Sequence, residues 1–180
     1  MPDQYEPEEN NSISYEQFEN FINSIPDRIK SIDNLMKDGV KNGAWDTELR
    51  NRFFKFVIKW FCEDFRVKED IARNYIFVEG INRIPESFRS IQFFKSPMNP
   101  DAAFIFDDKL KVAIELDHGY KGSQIRNALT KASFSVLLGI FQKSILFFFQ
   151  ESSEQCNITD NEKRVLETFE ADFSTKLYII

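Results

Sequence analysis

Three acidic residues, Asp101, Glu115 and Asp117, stand at the outer ends of two short apolar runs of this sequence. Carboxylates that converge on one point repel one another, and without a counter-cation at least one of them would take up a proton. A divalent cation removes that conflict, and Mg²⁺ is usually held by one or two carboxylates together with water and phosphate oxygens. These residues therefore suit metal-dependent hydrolysis of a phosphodiester. The alternative is that they are acidic residues at solvated strand ends, which are common.

The two apolar runs are predicted to form a β-hairpin. Residues 102–106 and 110–116 are rich in Phe, Ile and Val, and the Asp-Asp-Lys segment between them is typical of a turn. If the turn is centred on Asp108, Asp101 lies opposite Glu115. Because strand side chains alternate between faces, the two carboxylates of the second run share one face, and its Ile and Leu neighbours point to the other, the expected core side.

Pro100-Asp101 on one predicted strand and Glu115-Leu116-Asp117 on the next resemble the signature of the PD-(D/E)xK (restriction-endonuclease-like) nuclease superfamily. That signature is Pro-Asp followed by Glu-x-Lys, so Asp117 stands where the family usually has its lysine. The predicted elements between residues 45 and 149 also follow the α-β-β-β-α-β order of the family. The resemblance implies an α/β fold with a restriction-endonuclease-like core, a mixed central sheet flanked by helices, and Mg²⁺- or Mn²⁺-dependent endonuclease activity on DNA.

The same resemblance implies a set of metal ligands. Asp101 and Glu115 would bind the ion, and Asp117 would act as a further ligand or as a proton acceptor. Glu48, on the first turn of a predicted helix, matches an additional glutamate near the metal that the superfamily often has. The alternative for Glu48 is an acidic residue favoured by the helix dipole. Glu79, at the end of the first predicted strand, is a more distant candidate.

A lysine on the helix predicted after Gly119 is the candidate for the missing positive charge. In some members of the superfamily a lysine on this helix replaces the one on the strand. Lys131 is the first choice, because it shares a helix face with Gln124, and Lys121 in the preceding loop is the second. The alternative is an exposed helix lysine without a role.

Gln124, Arg126, Asn127 and His118 are the candidate substrate-binding residues. From His118 to residue 150 the chain contains basic but no acidic residues, so a phosphate backbone is expected to lie there. The alternative is a basic surface without a partner. For His118 alone, strand alternation turns the side chain away from the carboxylates, which favours packing over a general base or phosphate contact.

The chain has 180 residues, enough for about one domain with a real core, and 20 of them are Phe. Its net charge of −6 resides in residues 1–25, which contain acidic but no basic residues, so the remainder is neutral. Two cysteines provide neither a disulfide framework nor zinc spacing, and no apolar run matches a membrane span. We expect a cytoplasmic protein with no membrane partner.

Three segments are predicted. Residues 1–12 form a disordered acidic tail, residues 13–43 a helical extension, and residues 44–180 the nuclease-like α/β domain. In the extension, a helix with a capping box at Ser14 is expected to end before Pro26, and a second helix to run to about residue 40. The predicted elements of the domain are a helix over 46–65, a helical turn within 67–74, strands over 75–81, 102–106 and 110–116, a helix over 123–138, a strand over 144–150, a helix over 161–171 and a strand over 176–180.

Two alternatives to a nuclease remain. In the first, the fold is retained but catalysis is lost with the lysine, and the protein binds nucleic acid or another protein. In the second, the chain is a structural subunit whose acidic residues are incidental. A homodimer is compatible with the nuclease hypothesis, because one site cuts one strand and a pair cuts both.

Overall fold

The structure is a computed structural model that describes residues 12–32, 45–82, 99–119, 122–150 and 158–180, with a few positions between 85 and 97. Its elements in chain order are α1 (Tyr15–Lys30), α2 (Trp45–Phe65), α3 (Glu69–Ala72), β1 (Ile76–Val78), β2 (Gln92–Phe93), β3 (Ser96–Pro97), β4 (Ala102–Phe106), β5 (Leu110–Gly119), α4 (Gly122–Leu137), β6 (Lys143–Gln150), α5 (Asp160–Phe173) and β7 (Thr175–Ile179).

Five strands form one mixed open sheet in the order β1-β4-β5-β6-β7. β4 is antiparallel to both β1 and β5, whereas β6 is parallel to β5 and to β7. Parallel neighbours need a crossover connection, and α4 and α5 supply the two that this sheet requires. The predicted α/β fold with a mixed sheet and flanking helices is confirmed, and the order α2-β1-β4-β5-α4-β6 matches the predicted succession of elements. β2 and β3 form a separate two-stranded sheet.

β6 is covered on both faces. Phe147 and Phe149 lie in the core that α1 and α2 share with the sheet, whereas Leu146 and Phe148 pack with Leu129 of α4. This division follows from the alternation of side chains along a strand. Burial on both faces explains why the sequence of β6 is a continuous apolar run.

Phenylalanine side chains fill the core beneath α1 and α2. Phe53 of α2 is fully buried, and its ring centroid lies 4.9 Å from that of Phe54 and 5.0 Å from that of Phe147 in β6. Phe18 of α1 contacts Phe61 and Phe106. The N-terminal helix thus packs on the same core as the sheet.

α1 differs from the prediction at its C-terminal end. The capping box at Ser14 is confirmed, since Ser14 and Gln17 bond to each other's backbone N–H. The helix continues through Pro26 to Lys30, because Ile25, Pro26 and Ile29 extend its buried stripe and their burial offsets the hydrogen bond that proline removes. Two helices were predicted here. The later part of the second lies outside the described residues, as does almost all of the predicted acidic tail.

The other elements lie close to the predicted positions. α2, α4, β6, α5 and β7 each begin within one residue of the expected start. The hairpin has the predicted register, with Ala102 paired to Ile114 and Phe106 to Leu110. β5 runs further than expected, to Gly119, because its last residues pair with the parallel strand β6.

The mismatched lengths of β4 and β5 create a local asymmetry. β4 begins at Ala102, opposite Ile114, so beyond that point β5 has β6 on one side and no strand residue of β4 on the other. Glu115 and Asp117 are therefore within a strand rather than at its end. They lie where β5 extends past the first residue of β4.

The central position of Phe53 predicts a large loss of stability on truncation. Phe53→Ala removes a fully buried ring at the junction of α2 and β6, so we expect the free energy of unfolding to fall by about 3–5 kcal/mol. Urea denaturation measures this quantity. Val165→Ala on the exposed face of α5 is the control and should change it by less than about 0.5 kcal/mol. Equal effects of the two changes would contradict the described core.

Candidate functional site

Asp101 is held beside β5, just before the start of β4. Its Oδ2 accepts a hydrogen bond of 2.8 Å from the backbone N–H of Leu116. Its own backbone carbonyl accepts one of 2.9 Å from the N–H of Glu79, just after β1. The carboxylate thus takes the place of a backbone acceptor that a longer β4 would have supplied. This contact fixes Asp101 beside Glu115, as the hairpin register predicted.

Glu115 is buried on the sheet face that α4 covers. The residue is 3% exposed, and its Oε2 lies 2.7 Å from Nζ of Lys131. The Lys131 side chain is 47% exposed, so it reaches from the surface of α4 down to the buried carboxylate. The predicted placement of Lys131 beside the carboxylates is confirmed; its catalytic role stays a prediction.

The surroundings of Glu115 favour its protonated form. The pKa of Glu115 is raised to about 7, mainly by burial. The Lys131 ammonium opposes this rise, and the charges of Asp101 and Asp117 add to it. For Lys131, burial lowers the pKa, but the attraction of Glu115, Asp101 and Asp117 outweighs burial, so its pKa is raised. Lys131 therefore holds its proton more tightly than a free lysine, as the sequence hypothesis required.

Asp117 belongs to the same electrostatic cluster, since its charge acts on both Glu115 and Lys131. It is half-buried, and its Oδ1 accepts a hydrogen bond of 2.7 Å from the backbone N–H of His118. Its acidic side chain adds negative charge beside Glu115 and Lys131. His118 is also half-buried, and it donates this hydrogen bond to Asp117 through its main chain.

Gln124 lies over the end of β5. Gly119 has a φ of +153°, and a Cβ atom placed on it would come within 2.5 Å of Oε1 of Gln124. Glycine at this position therefore allows the Gln124 amide to lie against the main chain at the start of the α4 crossover. Arg126 and Asn127, also on α4, are exposed.

Of the predicted metal ligands and lysines, Glu48 and Lys121 have no described contact with the cluster. Glu48 is partly exposed and forms an ion pair with Arg52, one helical turn further along α2. Lys121 lies outside the described residues.

Arg50 of α2 is a site residue that the sequence reasoning missed. Its Nη2 lies 2.9 Å from Oδ1 of Asp101, and its Nη1 lies 3.1 Å from Oε2 of Glu79. A signal was present, because Arg50 is aligned along α2 with the buried Phe54 and Val57, at the i+4 and i+7 positions. A charged residue in a buried helical stripe needs a partner, and here it has two carboxylates.

Among the described residues, the cluster has more acidic than basic groups. Two cations, Arg50 and Lys131, face four carboxyl groups, Glu79, Asp101, Glu115 and Asp117. Within the described residues, no three His, Cys, Asp or Glu side chains are placed to hold a metal ion together. A pair of neighbouring carboxylates, Asp101 and Glu115, remains. This oxygen donor set and the excess of negative charge fit a hard divalent cation that completes its shell with water and phosphate oxygens.

Comparisons of the chain with protein-family models, with curated proteins and with solved structures gave no match. The geometry of the cluster is thus the basis for a functional assignment. Among the described helices, none has the length and apolar character needed to cross a membrane.

Burial of Glu115 predicts a pH-dependent stability in the presence of a chelator. The folded-state pKa of about 7 lies above the ordinary glutamate value of 4.5, so the folded protein binds this proton more tightly than the unfolded chain. The resulting stabilisation is complete below pH 4.5 and is lost as the pH rises to about 7, a change of up to about 3 kcal/mol. Glu115→Gln, which cannot ionise, should remove this part of the pH dependence.

Urea denaturation between pH 4 and 8 tests this expectation. Glu63→Gln, which replaces an exposed glutamate of α2, is the matched control and should retain the wild-type profile. An unchanged slope in Glu115→Gln would show that Glu115 does not titrate differently in the folded and unfolded states.

Proposed function

We propose that this chain is a metal-dependent endonuclease that hydrolyses phosphodiesters of DNA, built on a restriction-endonuclease-like core. The observation that carries the proposal is the convergence of Asp101, Glu115 and Lys131, with the ammonium 2.7 Å from Glu115. Asp101 directly precedes β4, Glu115 lies in β5, and Lys131 lies in the crossover helix α4. Two carboxylates beside a lysine are the groups that metal-assisted phosphodiester hydrolysis uses.

The topology supports the resemblance on which the fold assignment rests. The hairpin with Pro100-Asp101 and Glu115-Leu116-Asp117 is central in the sheet, and a parallel strand joined by a crossover helix follows it. The elements from α2 to β6 occur in the order expected for the superfamily. Two copies of such a domain, each with one site, would cut both strands of a duplex.

Asp101 and Glu115 would hold the metal ion, Mg²⁺ or Mn²⁺. When bound, such an ion supplies Lewis acidity, which activates water for attack and neutralises charge on the phosphate. Asp101 is pre-positioned for this task by the N–H of Leu116. Glu115 is pre-positioned by its burial in β5, so neither carboxylate depends on a flexible loop.

Lys131 would supply the positive charge that the superfamily places on the strand. Its ammonium has three N–H donors, of which Glu115 accepts one, and its partial exposure leaves the others accessible to a phosphate oxygen or to water. The raised pKa keeps this lysine charged at neutral pH. In this proposal Lys131 takes the role of the motif lysine, at whose position on the strand this chain has Asp117.

A binding module is the second candidate, and one observation favours it. Asp101 and Glu115 each have a basic partner, Arg50 and Lys131, so the cluster is partly neutralised by the protein's own cations. In that case the chain would bind DNA or another protein without cleaving it.

Nicking of supercoiled plasmid separates the two candidates. We expect the purified chain to convert supercoiled DNA to open circles in Mn²⁺ or Mg²⁺ but not in chelator. DNA binding without nicking in either metal would reject the nuclease and favour the binding module.

Lys131→Ala is predicted to reduce nicking by roughly two to four orders of magnitude, because the lost charge acts mainly in the transition state. DNA affinity, measured by fluorescence anisotropy, should change by less than about threefold, because a single exposed cation contributes little to the total phosphate contact. Lys163→Ala removes an exposed lysine from α5 and is the control. If Lys131→Ala and Lys121→Ala both nick at the wild-type rate, the replacement-lysine hypothesis is wrong.

A further inference from the structure

Arg50 connects the two carboxylates that lie at the same end of β1 and β4. Glu79 follows β1 and Asp101 precedes β4, and the guanidinium of Arg50 reaches both, at 3.1 Å and 2.9 Å. The Arg50 side chain is 19% exposed, and its buried Nε–H has no hydrogen-bond partner among the residues that the structure describes. Charge rather than complete hydrogen bonding holds this side chain in place.

We propose that Arg50 is a built-in counter-cation that occupies the Asp101 carboxylate in the cation-free protein and opposes the binding of a divalent ion there. This inference rests on the proposed function, since it concerns the same carboxylates. One oxygen of Asp101 contacts Arg50 and the other accepts the N–H of Leu116, so both are engaged. An ion at Asp101 has to compete with a positive charge 2.9 Å from that carboxylate.

The magnitude of this competition follows from electrostatics. A divalent ion and a guanidinium within about 5 Å of each other repel strongly enough, in a partly buried site, to weaken binding by at least about tenfold. Lys131 adds positive charge beside Glu115, but its side chain is 47% exposed, so solvent and salt screen this charge more than that of Arg50. Arg50 is more confined, because it lies in the buried stripe of α2.

Glu79 is a second ion-pair partner of Arg50. Its carboxylate is 44% exposed and already contacts Nη1 of Arg50. When a metal ion takes Asp101, Arg50 can stay paired with Glu79 instead of becoming an unpaired buried cation, which would be costly. Arg50 thus lowers the metal affinity of the site through its charge, without itself contacting the ion.

Isothermal titration of the full chain with Mn²⁺ tests the proposal without reference to cleavage. Arg50→Gln keeps hydrogen-bond donors but removes the charge, and we expect it to bind Mn²⁺ at least about tenfold more tightly than the wild type. Arg50→Lys keeps the charge and should stay within about threefold of the wild type. Lys59→Gln removes an exposed charge from the same helix and is the matched control, with an expected change below about threefold. If Arg50→Gln does not fold, Arg50→Met, which keeps the apolar stem, is the second neutral variant.

Equal Mn²⁺ binding in the neutral variant would overturn the proposal, because Arg50 would then not oppose the ion. Weaker binding would also overturn it, because Arg50 would then position Asp101 for the ion instead of competing with it. Binding to the variant but not to the wild type would support the proposal and reject metal dependence of the wild-type chain. Absence of binding to both proteins would overturn the proposal and remove the metal from the proposed function. Plasmid nicking by the wild type tests the nuclease separately, so the two failures are distinguishable.

Discussion

A carboxylate in a protein interior is stable only if a cation or a proton compensates for its charge. Glu115 is such a group, and Lys131 of α4 lies 2.7 Å from it. Because the lysine belongs to the crossover helix, this ion pair links α4 to the hairpin at one defined position along the strand. The mutual placement of β5, α4 and the neighbouring carboxylates depends on it. Leaving Glu115 buried without Lys131 would require protonation or another cation.

Arg50 imposes the corresponding constraint from the other layer of helices. It belongs to α2, whose Phe-rich face packs on the side of the sheet opposite to α4. Its guanidinium reaches Asp101, the residue before β4. Cations from both helical layers therefore meet at adjacent carboxylates, where β4 stops and β5 continues. At this irregularity in strand length, the Asp101 carboxylate occupies the edge of β5 beyond the start of β4.

The sequence predicted the parts of this arrangement that depend on local chemistry. The polar turn set the hairpin register, and helical spacing placed Lys131 on the side of α4 that faces Glu115. Arg50 was missed because its significance depends on contacts with residues far away in the chain. The extension of β5 to Gly119 depends on pairing with β6, and the continuation of α1 through Pro26 depends on burial against the core. These features follow from tertiary packing, which overrides local propensity.

The central claim is that Asp101 and Glu115 together form a divalent-cation site. Differential scanning calorimetry of the wild type and Asp101→Asn, each with Mn²⁺ or with chelator, tests it most directly, since an ion that binds only the folded state raises the unfolding temperature by mass action. We predict that Mn²⁺ raises the unfolding temperature of the wild type, and that Asp101→Asn folds in chelator but gains no stability from Mn²⁺. Equal stabilisation of the two proteins by Mn²⁺, or none in the wild type, would contradict the account.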